Sequence, residues 1–127
     1  MNPIKATMLQ ALSGMQLQSQ RLDTTSQNIS NADTPGYKRK LLVVDGQQTG
    51  AEAFMQARVE LDQADGEREY NPAHPMADGD GYVTMSNVSL VTEMADMREA
   101  NRSYEANLNS FQQARSMYRS LLDVLRR

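Results

Sequence analysis

From Leu90 to Leu125 an apolar or aromatic residue returns at every seventh position: Leu90, Met97, Tyr104, Phe111, Tyr118 and Leu125. A second row, Met94, Asn101, Leu108, Arg115 and Leu122, is offset from the first by four. At 3.6 residues per turn the two rows lie side by side on a helix, so this segment reads as one long helix with a seam over five heptads. A helix with such a stripe must lay it against another helix. Polar Asn101 and Arg115 interrupt the seam. A polar residue there lowers stability and can fix register, or it can meet a neighbouring subunit's carboxylate, and the pattern leaves both roles open. Acidic Glu93, Asp96 and Glu99 come early, while Arg115, Arg119, Arg126 and Arg127 come late, an order that suits the helix macrodipole. Asn87 and Ser89 are the two candidate caps.

The partner helix lies at the other end of the chain. Met8, Met15, Leu22 and Ile29 recur at sevens, and Ile4, Ala11 and Leu12 widen the stripe. Asn2 before Pro3 is a suitable start, with the asparagine as cap and the proline at the first helical position. Asp33-Thr34-Pro35-Gly36 stops the helix, since proline disfavours a helical Thr34 and Pro-Gly is a turn dipeptide.

Residues 37 to 86 keep no helical period. Leu41–Val44 running into Asp45-Gly46 reads as a strand and turn, with further strands at Ala57–Leu61 and Tyr82–Met85. Asn71-Pro72, His74-Pro75 and Gly79-Asp80-Gly81 punctuate the approach to the second helix. The expected fold is therefore mainly α. An N-terminal helical part (2–33) and a C-terminal one (87–127) pair as an antiparallel coiled coil, and a small β-rich or irregular middle (34–86) sits between them.

One pair does not cover these stripes. Leu9, Leu12, Leu121 and Val124 lie beside the main rows, and Ala11, Ser13, Gly14, Ala95, Ala100, Ala106 and Ala114 allow close helix approach. Gly14 costs about 1 kcal/mol against alanine in a helix interior, a cost easier to accept where another backbone passes nearby. Further helices are needed, either in a dimeric four-helix bundle serving as an adaptor or export chaperone, or in a polymer. The expected packing residues are Ile4, Met8, Leu12, Met15, Leu22 and Ile29 on the first helix and the two rows above on the second.

Chemistry offers little competition. A formal charge of −3 and a pI near 5.1 argue against a general nucleic-acid binder. Lys38-Arg39-Lys40 reads as a solvated strand edge or turn flank. The absence of cysteine excludes disulfides and thiolate sites. No stretch approaches the ~20 apolar residues that cross a bilayer, and the first thirty residues contain no apolar signal block. His74 with Asp78 and Asp80 falls short of a metal set and reads as turn chemistry; a small hydrolase using these three is the enzymatic alternative. No catalytic, cofactor or metal residues are expected.

Two motifs carry a resemblance. Asn28-Ile29-Ser30-Asn31-Ala32-Asp33-Thr34-Pro35-Gly36-Tyr37 is similar to the N-terminal signature of the flagellar rod and hook protein family. The run from Tyr70 through Pro72, His74, Pro75 and Asp78, then Gly81-Tyr82-Val83 and Asn87-Val88, resembles the short rod members of that family. Arg102–Asn107 continues the match, whereas residues 46 to 68 carry little of it. Ser30 stands where the family usually has alanine and Ser86 where it often has proline.

The resemblance implies a structural subunit exported by the flagellar type III apparatus without a cleaved signal and assembled in the periplasmic space as part of the proximal rod. Its terminal helices would form an inner packed layer, with the middle facing outward. The implied neighbours are other copies, FlgB, FliE and FlgF, with no nucleic acid and no membrane insertion. Ordering of the terminal helices would then be coupled to assembly.

Overall fold

A computed structural model describes residues 3–45 and 56–126. Two long helices carry the chain: α1 (Pro3–Ser30) and α2 (Leu90–Leu125), of 28 and 36 residues, or about 42 and 54 Å at 1.5 Å per residue. Between them lie two small antiparallel pairs. β1 (Lys40–Asp45) pairs with β2 (Gln56–Leu61), Lys40 opposite Leu61 and Asp45 opposite Gln56. β3 (Arg68–Tyr70) pairs with β4 (Tyr82–Thr84), Arg68 opposite Thr84. The capping role expected of Asn2, the turn at Gly46 and the late cation Arg127 lie outside the described residues.

Contacts between the helices run in opposite order along them. Lys5 Nζ stands 5.5 Å from the centre of the Tyr118 ring. Gly14 lies against the Asn107 side chain, whose nearest atom would be 2.7 Å from an added Cβ. Arg21 reaches Glu99 at 3.2 Å, and Asn28 reaches Glu93 at 3.3 Å. From about residue 119 onward α2 therefore runs past the described start of α1, and every described residue of that overhang is exposed.

The face of α2 that meets α1 is shifted from the expected seam. Row Leu90, Met97, Tyr104, Phe111, Tyr118 and Leu125 flanks the contact: Met97, Tyr104, Phe111 and Tyr118 are half-buried, while Leu90 and Leu125 are exposed. Of the row four residues further on, Leu108 is half-buried, but Met94, Asn101, Arg115 and Leu122 are exposed and face away from α1. The contact is made instead by Glu93, Ala100, Asn107 and Ala114, three residues after the first row. Ala100 and Ala114 are buried against an α1 face that contains buried Ala11 and half-buried Gly14. Small side chains let two backbones approach closely. Within the chain, the contact between α1 and α2 thus follows small side chains rather than the second hydrophobic row.

Helix ends differ in detail from expectation. α1 stops at Ser30, and the turn that follows closes at Gly36, whose φ of 77° favours glycine. Of the two candidate caps, Ser89 occupies the position before α2, but its side chain makes no capping bond; only its carbonyl accepts, from Glu93 N at 3.0 Å. The last turn of α2 holds no basic residue, and Arg126 is its C-cap. Among the described residues no helix is long and apolar enough to cross a membrane.

Candidate functional site: a polar root and two apolar ends

The C-terminal end of α1, the start of β1 and the start of α2 meet in a polar clasp centred on Asn28. This side chain is 1% exposed, so its amide must find every partner inside the protein. Asn28 Nδ2 donates to the Lys40 carbonyl at 2.9 Å and to Glu93 Oε2 at 3.3 Å. Its Oδ1 accepts from Lys40 N–H and from the Tyr37 hydroxyl, both at 2.9 Å. Both donors and both acceptor positions of the amide are thereby filled. Two of the four bonds go to one residue's backbone, so the side chain pairs with Lys40 as a neighbouring strand would.

Glu93 is equally enclosed, at 1% exposure. A buried carboxylate needs a charged partner, and Arg39 Nε donates to its Oε1. Arg39 also reaches Asp96 at 3.2 Å; Arg21 reaches Asp96 at 3.6 Å and Glu99 at 3.2 Å. The early acids of α2 thus also pair with arginines outside the helix, Glu93 fully buried and Glu99 at the surface. The basic run is likewise not a solvated edge. Lys38 Nζ donates to the Ala64 carbonyl at 3.0 Å, and Lys40 Nζ to Gln27 Oε1 at 2.6 Å. Burial and the neighbouring Glu93 carboxylate push the Tyr37 phenol above its ordinary range, keeping it a donor to Asn28.

Asn87 stitches the same region from the other side. Its Oδ1 accepts from Arg39 N–H at 2.6 Å, and its Nδ2 donates to the carbonyls of Asp62 at 3.0 Å and Ala64 at 2.8 Å. Buried Ser86 donates to the Ala32 carbonyl, tying the turn after α1 to the segment that enters α2. Asn31 and Thr34 close that turn, with Thr34 N donating to the Asn31 carbonyl at 3.0 Å. Beside the clasp opens a cleft of about 350 Å³, lined in part by Leu17, Gln18, Arg21, Leu41, Leu42 and Asp96. Of its charged side chains, Arg21 and Arg39 are paired with acids of α2 and Lys40 is held by Gln27.

The second motif builds a separate turn. Asp78 Oδ1 accepts from the backbone N–H of Asp80 and of Tyr82, both at 2.9 Å, and its other oxygen takes Arg68. The amide of Tyr82 foremost, with that of Asp80 and the Arg68 guanidinium, holds the Asp78 carboxyl below its ordinary value. His74 Nδ1 accepts from Met76 N–H at 3.0 Å. Gly81 has φ 84°, and an added Cβ would stand 3.0 Å from Tyr70 and 3.1 Å from Pro72. Arg68 lies 4.9 Å over the Tyr82 ring, which meets Tyr70 edge-on. Each polar residue here shapes the turn.

The motif residues Asn28, Tyr37 and Asn87 converge at the clasp, while Pro72, His74, Pro75, Gly81 and Tyr82 form a second turn, whose strand β4 accepts from Gly36 N–H through the Thr84 carbonyl at 3.0 Å. Of the packing candidates on α1, Ile4, Met8, Met15, Leu22 and Ile29 are half-buried, whereas Leu12 is exposed. Sequence reasoning missed buried Glu93 and Ser86 and half-buried Arg39 as partners. The available signal for Glu93 was its place one residue before Met94 in the helical rows, on the face toward Ala100.

Comparison with known proteins bears on both motifs. Residues 8–38 match the family model described as flagella basal body rod protein, and residues 80–124 match the one described as flagellar basal body rod FlgEFG protein C-terminal. The chain is 42% identical to flagellar basal-body rod protein FlgC of Agrobacterium fabrum, over 99% of this chain and 98% of the relative. It is 38% identical to the FlgC protein of Salmonella typhimurium, with 83% and 85% covered. Against that of Aquifex aeolicus it is 34% identical, with 84% and 85% covered.

Proposed function

Because this chain belongs to the FlgC family of flagellar basal-body rod proteins, which are structural subunits, we propose that it builds the proximal rod by packing its helices against those of neighbouring subunits. In this reading α1 and α2 form an antiparallel coiled coil in the helical core. Residues 34–86 face outward, and the clasp fixes how the two parts meet. Export proceeds through the flagellar type III apparatus without a cleaved signal, and assembly takes place in the periplasmic space. The neighbours are other copies together with FlgB, FliE and FlgF.

One observation carries this reading: large apolar side chains remain exposed on a helix pair whose buried contact residues include the small Ala11, Ala100 and Ala114. Leu9, Leu12, Met94, Met117, Leu121, Leu122, Val124 and Leu125 are all exposed. At roughly 25 cal/mol per Å² of apolar area removed from water, covering them gives assembly its driving force. The expected packing residues Leu12, Leu90, Met94, Leu122 and Leu125 are all exposed, so their role falls to contacts between subunits. Asn101 and Arg115, exposed on the same helix, are placed to meet polar groups of a neighbour.

Immunogold labelling of purified basal bodies with antibody against this chain tests the assignment. Label on the short rod segment beside the membrane ring is expected. Label confined to a soluble dimer of the chain, with bare rods, would instead identify an export adaptor.

A further inference from the structure

The sequence contains four Asp-Gly pairs, at 45–46, 65–66, 78–79 and 80–81. Such a pair is open to spontaneous rearrangement, because glycine has no side chain to shield its amide nitrogen. That nitrogen attacks the aspartate Cγ, and a new C–N bond closes a succinimide ring. The carboxyl hydroxyl leaves with the amide proton as water. Water then opens the ring. Where it breaks the bond between the nitrogen and the backbone carbonyl, the main chain runs through the former side chain as isoaspartate. No electrons are transferred, and the water lost is regained.

The reaction needs a carboxyl group free to turn and an amide free to meet it. The fold denies one or the other at most of these pairs. Arg58 Nη1 donates to both oxygens of Asp45, at 2.7 and 2.6 Å. The Asp78 carboxylate is held by the N–H groups of Asp80 and Tyr82 and by Arg68. At Asp80-Gly81 the nitrogen is engaged, since Gly81 N–H donates to the Asp78 carbonyl at 3.0 Å. Asp65-Gly66 differs on both counts. The Asp65 side chain is 95% exposed, and its one polar contact among the described residues is Lys38 Nζ at 3.5 Å, the weak limit of a hydrogen bond. Gly66 N–H makes no hydrogen bond among the described residues.

The chain is anchored on either side of this pair. The Ala64 carbonyl accepts from Lys38 Nζ at 3.0 Å and from Asn87 Nδ2 at 2.8 Å. Gly66 lies directly on the segment that enters α2, where an added Cβ would stand 1.9 Å from the Met85 carbonyl oxygen. Isoaspartate lengthens the main chain between these anchors by a methylene, which backbone spacing fixed by both does not accommodate. We propose that Asp65 is the site at which the folded chain spontaneously isomerises to isoaspartate, and that the change releases Asn87 from the Ala64 carbonyl and weakens the clasp.

The purified full-length chain is aged in mildly acidic buffer, folded and in urea, and mapped by electron-transfer fragmentation, which separates isoaspartate from aspartate. In the folded chain isoaspartate is expected at residue 65 ahead of residues 45, 78 and 80; in urea all four positions react. A folded chain that reacts first at 45, 78 or 80, or not at all, would overturn the proposal. So would the same ranking in urea, since the fold would then select nothing. Asp65→Glu, whose longer side chain closes the ring far more slowly, is expected to lose the product at 65. The isomerised fraction, separated by chromatography, should unfold at lower urea than the fresh chain, while aged Asp65→Glu keeps its midpoint. An unshifted isomerised fraction, or an equal loss in aged Asp65→Glu, would overturn the weakening of the clasp.

Discussion

Replacing Asn28 with alanine removes one buried side chain and four hydrogen bonds: two to the Lys40 backbone, one from Tyr37 and one to Glu93. At a net ~1 kcal/mol each the loss is about 4 kcal/mol. Alanine recovers up to ~0.7 kcal/mol through its higher helix propensity, and water entering from the adjacent cleft rehydrates some of the stranded groups. The expected net loss is about 3 kcal/mol, a large share of the 5–15 kcal/mol typical of a domain. With a urea slope of about 2 kcal/mol per M, the unfolding midpoint of the isolated chain, followed by circular dichroism, falls by about 1.5 M. Asn28→Asp keeps the size but loses both donors and sets a carboxylate against Glu93, so it costs at least as much. Asn101→Ala, at an exposed position, stays within about 0.5 kcal/mol of the parent. If Asn28→Ala shifts the midpoint no more than Asn101→Ala does, the clasp does not hold the helices to the middle segment, and the reasoning from satisfied valences is refuted.

Further outcomes follow from the same geometry. Glu93→Ala removes the acceptor of Arg39 Nε and of Asn28 Nδ2 and leaves Arg39 with Asp96, costing about 2 kcal/mol in the same urea assay; an effect below about 0.5 kcal/mol would show the pair to be dispensable. Gly81→Ala meets both a positive φ and the crowding of Tyr70 and Pro72, so its midpoint drops by the equivalent of about 1–2 kcal/mol. The Asp78 carboxyl is held below its ordinary value of 3.8. It therefore contributes stability that is present above that pH and lost as the pH falls through its lower folded value; Asp78→Asn should flatten the fall of melting temperature with acidification below that ordinary value, and an unchanged slope would count against it. Gly14→Ala gains about 1 kcal/mol of helix propensity when combined with Asn107→Ala, but less than half of that when Asn107 is present. Equal gains in both backgrounds would show that Asn107 does not press on Gly14.

Much of the fold was legible in the sequence because helices announce themselves by period. The heptads from Leu90 to Leu125 and the sevens from Met8 to Ile29 mark two long helices, and Pro35-Gly36 marks where the first gives way. The strands Lys40–Asp45, Gln56–Leu61 and Tyr82–Thr84 fall close to three apolar runs. β3 went unseen because Arg68, Glu69 and Tyr70 are all exposed, and three solvent-facing residues leave no alternation to detect. The seam between the helices was harder to read: alanine and glycine carry no hydrophobic signal, yet they decide which faces approach. The clasp was hardest. Asn28 stood out through its motif, but its partners Lys40 and Glu93 lie 12 and 65 residues away. An ion pair formed by half-buried Arg39 with buried Glu93 looks, in sequence, like any two charged surface residues.

The central claim is that the chain is an obligatory packing unit of the rod. Electron microscopy of basal bodies from cells deleted for the gene tests it most directly. The account predicts membrane rings without rod, hook or filament, and full restoration by the wild-type gene. Complete rods and filaments in the deletion strain would contradict it.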